Sequence, residues 1–208
     1  MKRRDAAALA ALRKADPVIA ALMDANPDFD PDAWLTQLPR MDAFGVLIFQ
    51  VIGQQLSVAV TRTLLARLMD RLGGQLPSPE QLLAADPEGI RAVGLSHRKV
   101  QTLRELAERF VDGRLSLDEL QRLSDEEVVA RLTEISGVGR WTAEGFLAIA
   151  LHRADVVLPG DLALRKAIQR AYGLDHLPSQ AEVMAIAEAW RPYRSLAVNY
   201  LFASVYRQ

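Results

Sequence analysis

The sequence predicts an all-α fold, and three observations carry that expectation. Apolar residues recur at helical spacing along most of the chain, helix start signals of one chemical type repeat, and alternating runs of β-branched residues are nearly absent. The best extended run, Asp155-Val156-Val157-Leu158, is too short to seed a sheet. With 208 residues and 50% hydrophobic content, the chain can bury a core without help from disulfides or a structural metal, as one soluble globular unit.

The elements follow in order. The opening Met1-Lys2-Arg3-Arg4-Asp5 leads into alanines broken by Arg13, Lys14 and Asp16. That pattern has neither an unbroken apolar leader nor a cleavage site, and it predicts an unprocessed, cytoplasmic chain. The residues before Phe44 have room for a helix or two. Asp42 stands as an N-cap before the stripe Phe44, Leu47, Ile48, Val51 and Ile52, which fits a buried helix. Gly53-Gln54-Gln55-Leu56-Ser57 interrupts it, and Ser57 caps a second helix carrying Val60, Leu64 and Leu68 until Gly73-Gly74. Leu56 is expected in the core.

Ser78-Pro79-Glu80-Gln81, Ser116-Leu117-Asp118-Glu119 and Ser124-Asp125-Glu126-Glu127 read as capping boxes, and Asp86-Pro87-Glu88 places proline at a first helical position. Ser96 to Asp112, with Val100, Leu103, Ala107 and Phe110, forms a helix ended by Gly113. No internal repeat, low-complexity tract or Gly/Ser linker divides the chain.

Composition narrows the chemistry. The absence of cysteine removes zinc ribbons, thiolate-held iron–sulfur clusters and thiol nucleophiles. The longest apolar stretch, Phe44 to Ile52, falls short of the roughly 20 residues of a membrane span, so no membrane partner is expected. Lys and Arg number 25 against 26 Asp and Glu, which gives no global attraction to polyanions. Locally, Arg91, Arg98, Lys99, Arg104, Arg109 and Arg114 outnumber Glu105, Glu108 and Asp112, which suits a solvated helix face and a phosphate-facing one equally.

The most informative stretch is Leu132-Thr133-Glu134-Ile135-Ser136-Gly137-Val138-Gly139-Arg140-Trp141-Thr142-Ala143. A capped helix runs into Gly-Val-Gly and a second apolar helix follows at once. Two glycines allow positive φ and leave backbone N–H groups bare beside a helix N-terminus, a corner that suits a phosphate oxygen. A tight αα-turn with no ligand has the same pattern. Further on, Leu158-Pro159-Gly160-Asp161-Leu162-Ala163-Leu164-Arg165 puts a carboxylate at the N-cap of a helix continued by Leu164, Ile168 and Ala171. The Asp161 carboxylate faces the positive helix end there, as an ordinary cap would also do. Asp155 reads as a structural turn carboxylate.

Taken together, these blocks resemble the helix-hairpin-helix DNA glycosylase superfamily, and within it the 3-methyladenine DNA glycosylase II branch. The resemblance runs from Phe44 to Tyr206. It rests on Ile52-Gly53-Gln54-Gln55-Leu56-Ser57, Gly94-Leu95-Ser96 with Arg98-Lys99, the hairpin through Ala143, Leu158-Pro159-Gly160-Asp161, and Trp190-Arg191-Pro192-Tyr193-Arg194-Ser195, in family order. It implies a two-lobed all-α fold with the active-site cleft between lobes: a middle helical lobe over about 44–155 and a second lobe from 1–43 plus 156–208, with the hairpin at 132–145.

The resemblance also implies roles. Asp161 matches the catalytic aspartate, which stabilises oxocarbenium charge or orients water as the N-glycosidic bond breaks. Trp141 and Tyr193 match positions that receive the flipped, cationic base. Gly137, Gly139, Arg140, Thr142, Gln54 and Gln55 match the DNA interface, with Gln55 at the intercalating position. Gly145 stands where relatives carry an aromatic, which implies a wider pocket. The carbonyls of Thr133, Ile135 and Val138 match a monovalent cation site for sodium or potassium.

No cofactor is required by this reading, and no iron–sulfur cluster is expected. The hairpin position of a Schiff-base lysine is Trp141, which implies base removal without strand cleavage. No histidine general acid is expected, since His97, His152 and His176 read as helix-surface residues. The expected partner is double-stranded DNA bearing alkylated bases, bound by a monomer. Two other classes compete. A non-catalytic helix-hairpin-helix DNA-binding module would not need Asp161 or the aromatic residues, and a helical protein adaptor would leave the glycine hairpin and Gln54-Gln55 unexplained.

Overall fold

The computed structural model describes residues 6–30 and 38–206, and the charged start at residues 1–5 lies outside them. Among the described residues there are helices and turns but no strand. In chain order the helices are α1 (Ala6–Ala15), α2 (Pro17–Asp24), α3 (Ala43–Gly53), α4 (Val58–Arg71), α5 (Pro79–Ala84), α6 (Pro87–Arg91) and α7 (His97–Val111). They continue as α8 (Leu117–Arg122), α9 (Asp125–Thr133), α10 (Arg140–Ile149), α11 (Leu162–Tyr172), α12 (Gln180–Ala187) and α13 (Arg194–Tyr206), with a 3-10 turn at Glu188–Trp190. None is long and apolar enough to cross a membrane.

Two compact units emerge, one from Met1–Trp34 with Arg153–Gln208 and one from Leu35–His152.

In the Leu35–His152 unit, α3 is the axis. Every residue from Ala43 to Ile52 is buried, including Gln50, because α4, α7 and α10 all pack against it. A helix enclosed on all sides needs apolar residues on all sides, which its sequence supplies almost throughout. Asp42 caps its start through Gly45 N–H at 2.7 Å. At its other end Lys99 Nζ donates to the carbonyls of Ile52 and Gln54 at 2.7 and 3.0 Å, and burial pushes the ammonium pKa down. Complete capping boxes form at Ser78 and Ser124. At Ser116 the box is half made: the hydroxyl takes the Glu119 N–H, while the Glu119 carboxylate is drawn to Arg131 at 2.6 Å.

In the other unit, α11 packs on α13 and α13 on α2. Asp16 is its knot. At 6% exposure it caps α2 through Val18 and Ile19 N–H, and it also takes hydrogen bonds from the Tyr172 hydroxyl and Trp190 Nε1. Burial raises its pKa, but those hydrogen bonds outweigh burial and hold the carboxyl below its ordinary value. A capping box unforeseen from the sequence starts α12 at Ser179 with Glu182.

Candidate active site

The hairpin joins α9 to α10 within the Leu35–His152 unit. Gly137 sits at φ +87°, and a Cβ there would come within 2.1 Å of Thr102 Oγ1. That hydroxyl lies 2.9 Å from Ser136 O and 3.0 Å from Arg98 O, so α7 clamps the turn from beneath. Gly139 departs from the expectation of positive φ. It lies at φ −96° as the N-cap of α10, with no side-chain cap and with open space where a Cβ would be. Its value is access rather than backbone freedom: the first-turn amides of α10 have no side chain in front of them.

The side chains of Thr142 and Gln54, both expected at the DNA interface, meet each other inside the unit. Thr142 is 1% exposed, and Gln54 turns inward, donating from Nε2 to Gly137 O at 2.9 Å and to Thr142 Oγ1 at 3.0 Å. The pair is a strut that ties the end of α3 to the hairpin, because the buried Thr142 hydroxyl must find a partner. Gln55 and Leu56 are both exposed, and Gln55 holds φ +60°. Leu56 therefore leaves the core, at 39% exposure, because the turn after Gly53 carries it outward.

Arg140 is exposed, with Nε donating to Glu144 at 2.8 Å. Burial pushes the Glu144 carboxyl up, and the Arg140 guanidinium offsets only part of that. The basic cluster on α6 and α7 is mostly committed internally. Arg104 bonds the carbonyls of Leu83 and Ala85, Arg109 pairs with Glu105 and Glu134, Arg91 with Glu88, and Arg114 with Asp112.

Trp141 is half-buried in the first turn of α10. Gly145, one turn on, opens no wider space: the Gln50 amide lies against it, and a Cβ there would come within 2.4 Å of Gln50 Nε2. The carbonyls that the resemblance matched to a cation site belong to exposed Thr133 and buried Ile135 and Val138. Ile135 O already accepts Val138 N–H at 3.0 Å and keeps one lone pair. No group of three or more His, Cys, Asp or Glu suited to a metal occurs among the described residues.

The second unit holds Asp161 and Tyr193. Asp161 is half-buried as the N-cap of α11, its Oδ1 taking Leu164 N–H at 2.8 Å. Tyr193 is half-buried, its N–H donating to Trp190 O at 2.8 Å, one residue after the cis Arg191–Pro192 peptide. Asp155 is the structural carboxylate expected. Arg194 forks onto it at 2.6 and 2.9 Å, and Arg191 adds a third bond at 2.6 Å. The Ser195 hydroxyl donates to Arg153 O at 2.7 Å and receives Val156 N–H at 3.0 Å. The chain leading to Asp161 and the start of α13 beside Tyr193 are thus stapled together. The three histidines are exposed as expected, but only His97 lies on a helix, while His152 and His176 sit in turns.

Residues 48–192 match the family model of the HhH-GPD superfamily base excision DNA repair proteins. The chain belongs to that superfamily. The matched residues include the hairpin between α9 and α10. DNA-3-methyladenine glycosylase 1 of Schizosaccharomyces pombe is 34% identical over 79% of this chain and 73% of its own. DNA-3-methyladenine glycosylase 2 of Escherichia coli is 30% identical over 78% of this chain and 57% of its own. Among solved structures, a 3-methyladenine DNA glycosylase of S. pombe in complex with abasic DNA superposes with a TM-score of 0.85 at 31% identity, over 95% of each chain.

Sequence reasoning did not find the roles that four polar residues play within the two units. Asp16-Pro17 repeats the signal read at Asp86-Pro87 and could have been found. Thr102, Lys99 and Gln50 sit inside helical stripes with nothing local to mark what packing brings against them.

Proposed function

We propose that the chain is a monofunctional DNA glycosylase of base excision repair that removes 3-methyladenine and related N-alkylpurines from double-stranded DNA, acting as a monomer. The observation that carries this reading is the Asp161 carboxylate, fixed by Leu164 N–H at the head of α11 in a chain whose relatives of similar length are 3-methyladenine DNA glycosylases.

In the proposed reaction the hairpin amides and Arg140 hold phosphates without reading sequence. The damaged base leaves the stack, and Gln55 fills the gap it leaves. Trp141 and Tyr193 offer π-faces to the cationic purine. The bond between C1′ and the base nitrogen breaks, its electron pair neutralises the alkylpurine, and positive charge develops on the sugar. Asp161 stabilises that charge and orients water onto C1′, whose proton passes to the carboxylate or solvent. Trp141 stands where a lyase would need an amine, so the abasic strand stays intact. A sodium or potassium ion on the carbonyls of Thr133, Ile135 and Val138 would add positive charge facing a phosphate, and no step depends on it.

The test is release of free base from methylated duplex DNA by wild type and Asp161→Asn at matched DNA affinity. Asparagine caps a helix about as well as aspartate, so folding is preserved. Release should fall about 100-fold or more with no strand cleavage by either protein. DNA binding without release by either would instead identify a DNA-binding module.

A further inference from the structure

Gln50 has no part in the proposed chemistry, yet it is the most anomalous side chain beside it. It is 5% exposed on α3, and its amide fills the space that a Cβ at Gly145 would take. No hydrogen-bond partner for that amide occurs among the described residues, whereas the amide nitrogen of Gln54, one turn further along, donates to Gly137 O and Thr142 Oγ1. The sealed polar side-chain atom without a partner among the described residues is Arg109 Nε, so the Gln50 amide keeps a small opening to the outside. A nearly buried amide without a partner costs stability that methionine or leucine in its place would not. Gly145 gives it room, and Gly145 is one turn from the half-buried Trp141 on the same stripe of α10.

We infer that Gln50 is a specificity-determining residue that reads the edge of the extruded base, selecting purines that keep an adjacent hydrogen-bond donor and acceptor. This deepens the glycosylase reading and rests on it. A carboxamide offers one donor direction and one acceptor direction side by side, and adenine answers with its N6 amino group next to a ring nitrogen. 3-Methyladenine keeps that pair. 1,N6-Ethenoadenine has lost it, because ring closure takes the amino hydrogens and blocks N1, leaving the amide oxygen of Gln50 facing acceptors. Trp141 supplies stacking to either base, and Gln50 supplies the difference between them.

The test compares wild type, Gln50→Met and Gly145→Ala. Methionine keeps the length and removes the amide, while alanine keeps the amide and displaces it. Single-turnover release of 3-methyladenine from duplex DNA should slow about 10-fold in both variants. Competition binding to duplexes carrying 1,N6-ethenoadenine should hold or tighten, because the facing acceptor is gone or displaced, while binding to the uncleavable 3-methyl-3-deazaadenine should weaken about 10-fold.

Equal losses on both bases, or no loss on either, would overturn the assignment and make Gln50 a packing residue. If wild type released no base at all, the glycosylase reading would fall. The ratio of the two binding affinities would still decide the role of Gln50.

Discussion

Gly137→Ala tests how the hairpin is held. An alanine at φ +87° incurs the left-handed penalty of about 1–2 kcal/mol. Its Cβ would also meet Thr102 Oγ1 at 2.1 Å, so the hydroxyl must leave Ser136 O, at about 1 kcal/mol. Moving a side chain that is only 3% exposed adds about 1 kcal/mol of repacking. The expected loss is about 3–4 kcal/mol, read as a lower urea midpoint with the slope unchanged.

Thr102→Ala removes the colliding atom but leaves the φ penalty. The double variant should therefore cost at least about 1 kcal/mol less than the sum of the singles. Gly139→Ala is the contrast, since φ is −96° and nothing lies within 4 Å. It should cost under about 1 kcal/mol in stability and still weaken duplex binding by covering the α10 amides. A Gly137→Ala loss below about 1 kcal/mol, or strict additivity with Thr102→Ala, would refute the clamp.

Two further outcomes concern the other unit. Asp16→Asn should cost about 1–3 kcal/mol at pH 7, because the amide cannot accept from Tyr172, Trp190 and the α2 amides as the carboxylate does. The carboxyl is held below its ordinary value in the folded state, so its contribution is complete above about pH 4 and is lost as pH falls through the folded value. Denaturation of both proteins at pH 7 and pH 3 should show the gap narrowing at the lower pH, and a constant gap would contradict the linkage. Arg194→Lys should cost about 1–3 kcal/mol, since an ammonium cannot reproduce the fork onto Asp155. It should also slow base release by shifting the neighbouring Tyr193, and an unchanged rate would detach that staple from the chemistry.

The helices were legible because their causes are local. Asp42, Ser57, Ser78, Asp86, Ser96 and Ser124 each cap the helix that starts after them, through contacts two or three residues away. Asp161 was legible in the same way, and the turn glycines at 73, 74 and 113 stop their helices at positive φ. Failures began where the cause was distant. Ser116 formed only half a box because Arg131, from another helix, took the acid.

By itself, then, the sequence determined the all-helical class, the position of the hairpin and the residue at the head of α11, since capping, periodicity and glycine conformation act over one or two turns. Which polar residues face outward was decided only by the tertiary structure. Gln54 and Thr142 look like surface contacts until α3 and α10 meet and join them in a hydrogen bond. Gly145 looks like empty space until Gln50 fills it. Asp16 joins Tyr172 and Trp190 across 156 and 174 positions of chain. No local pattern encodes such partners, because a buried polar group must be satisfied by whichever group packing brings to it.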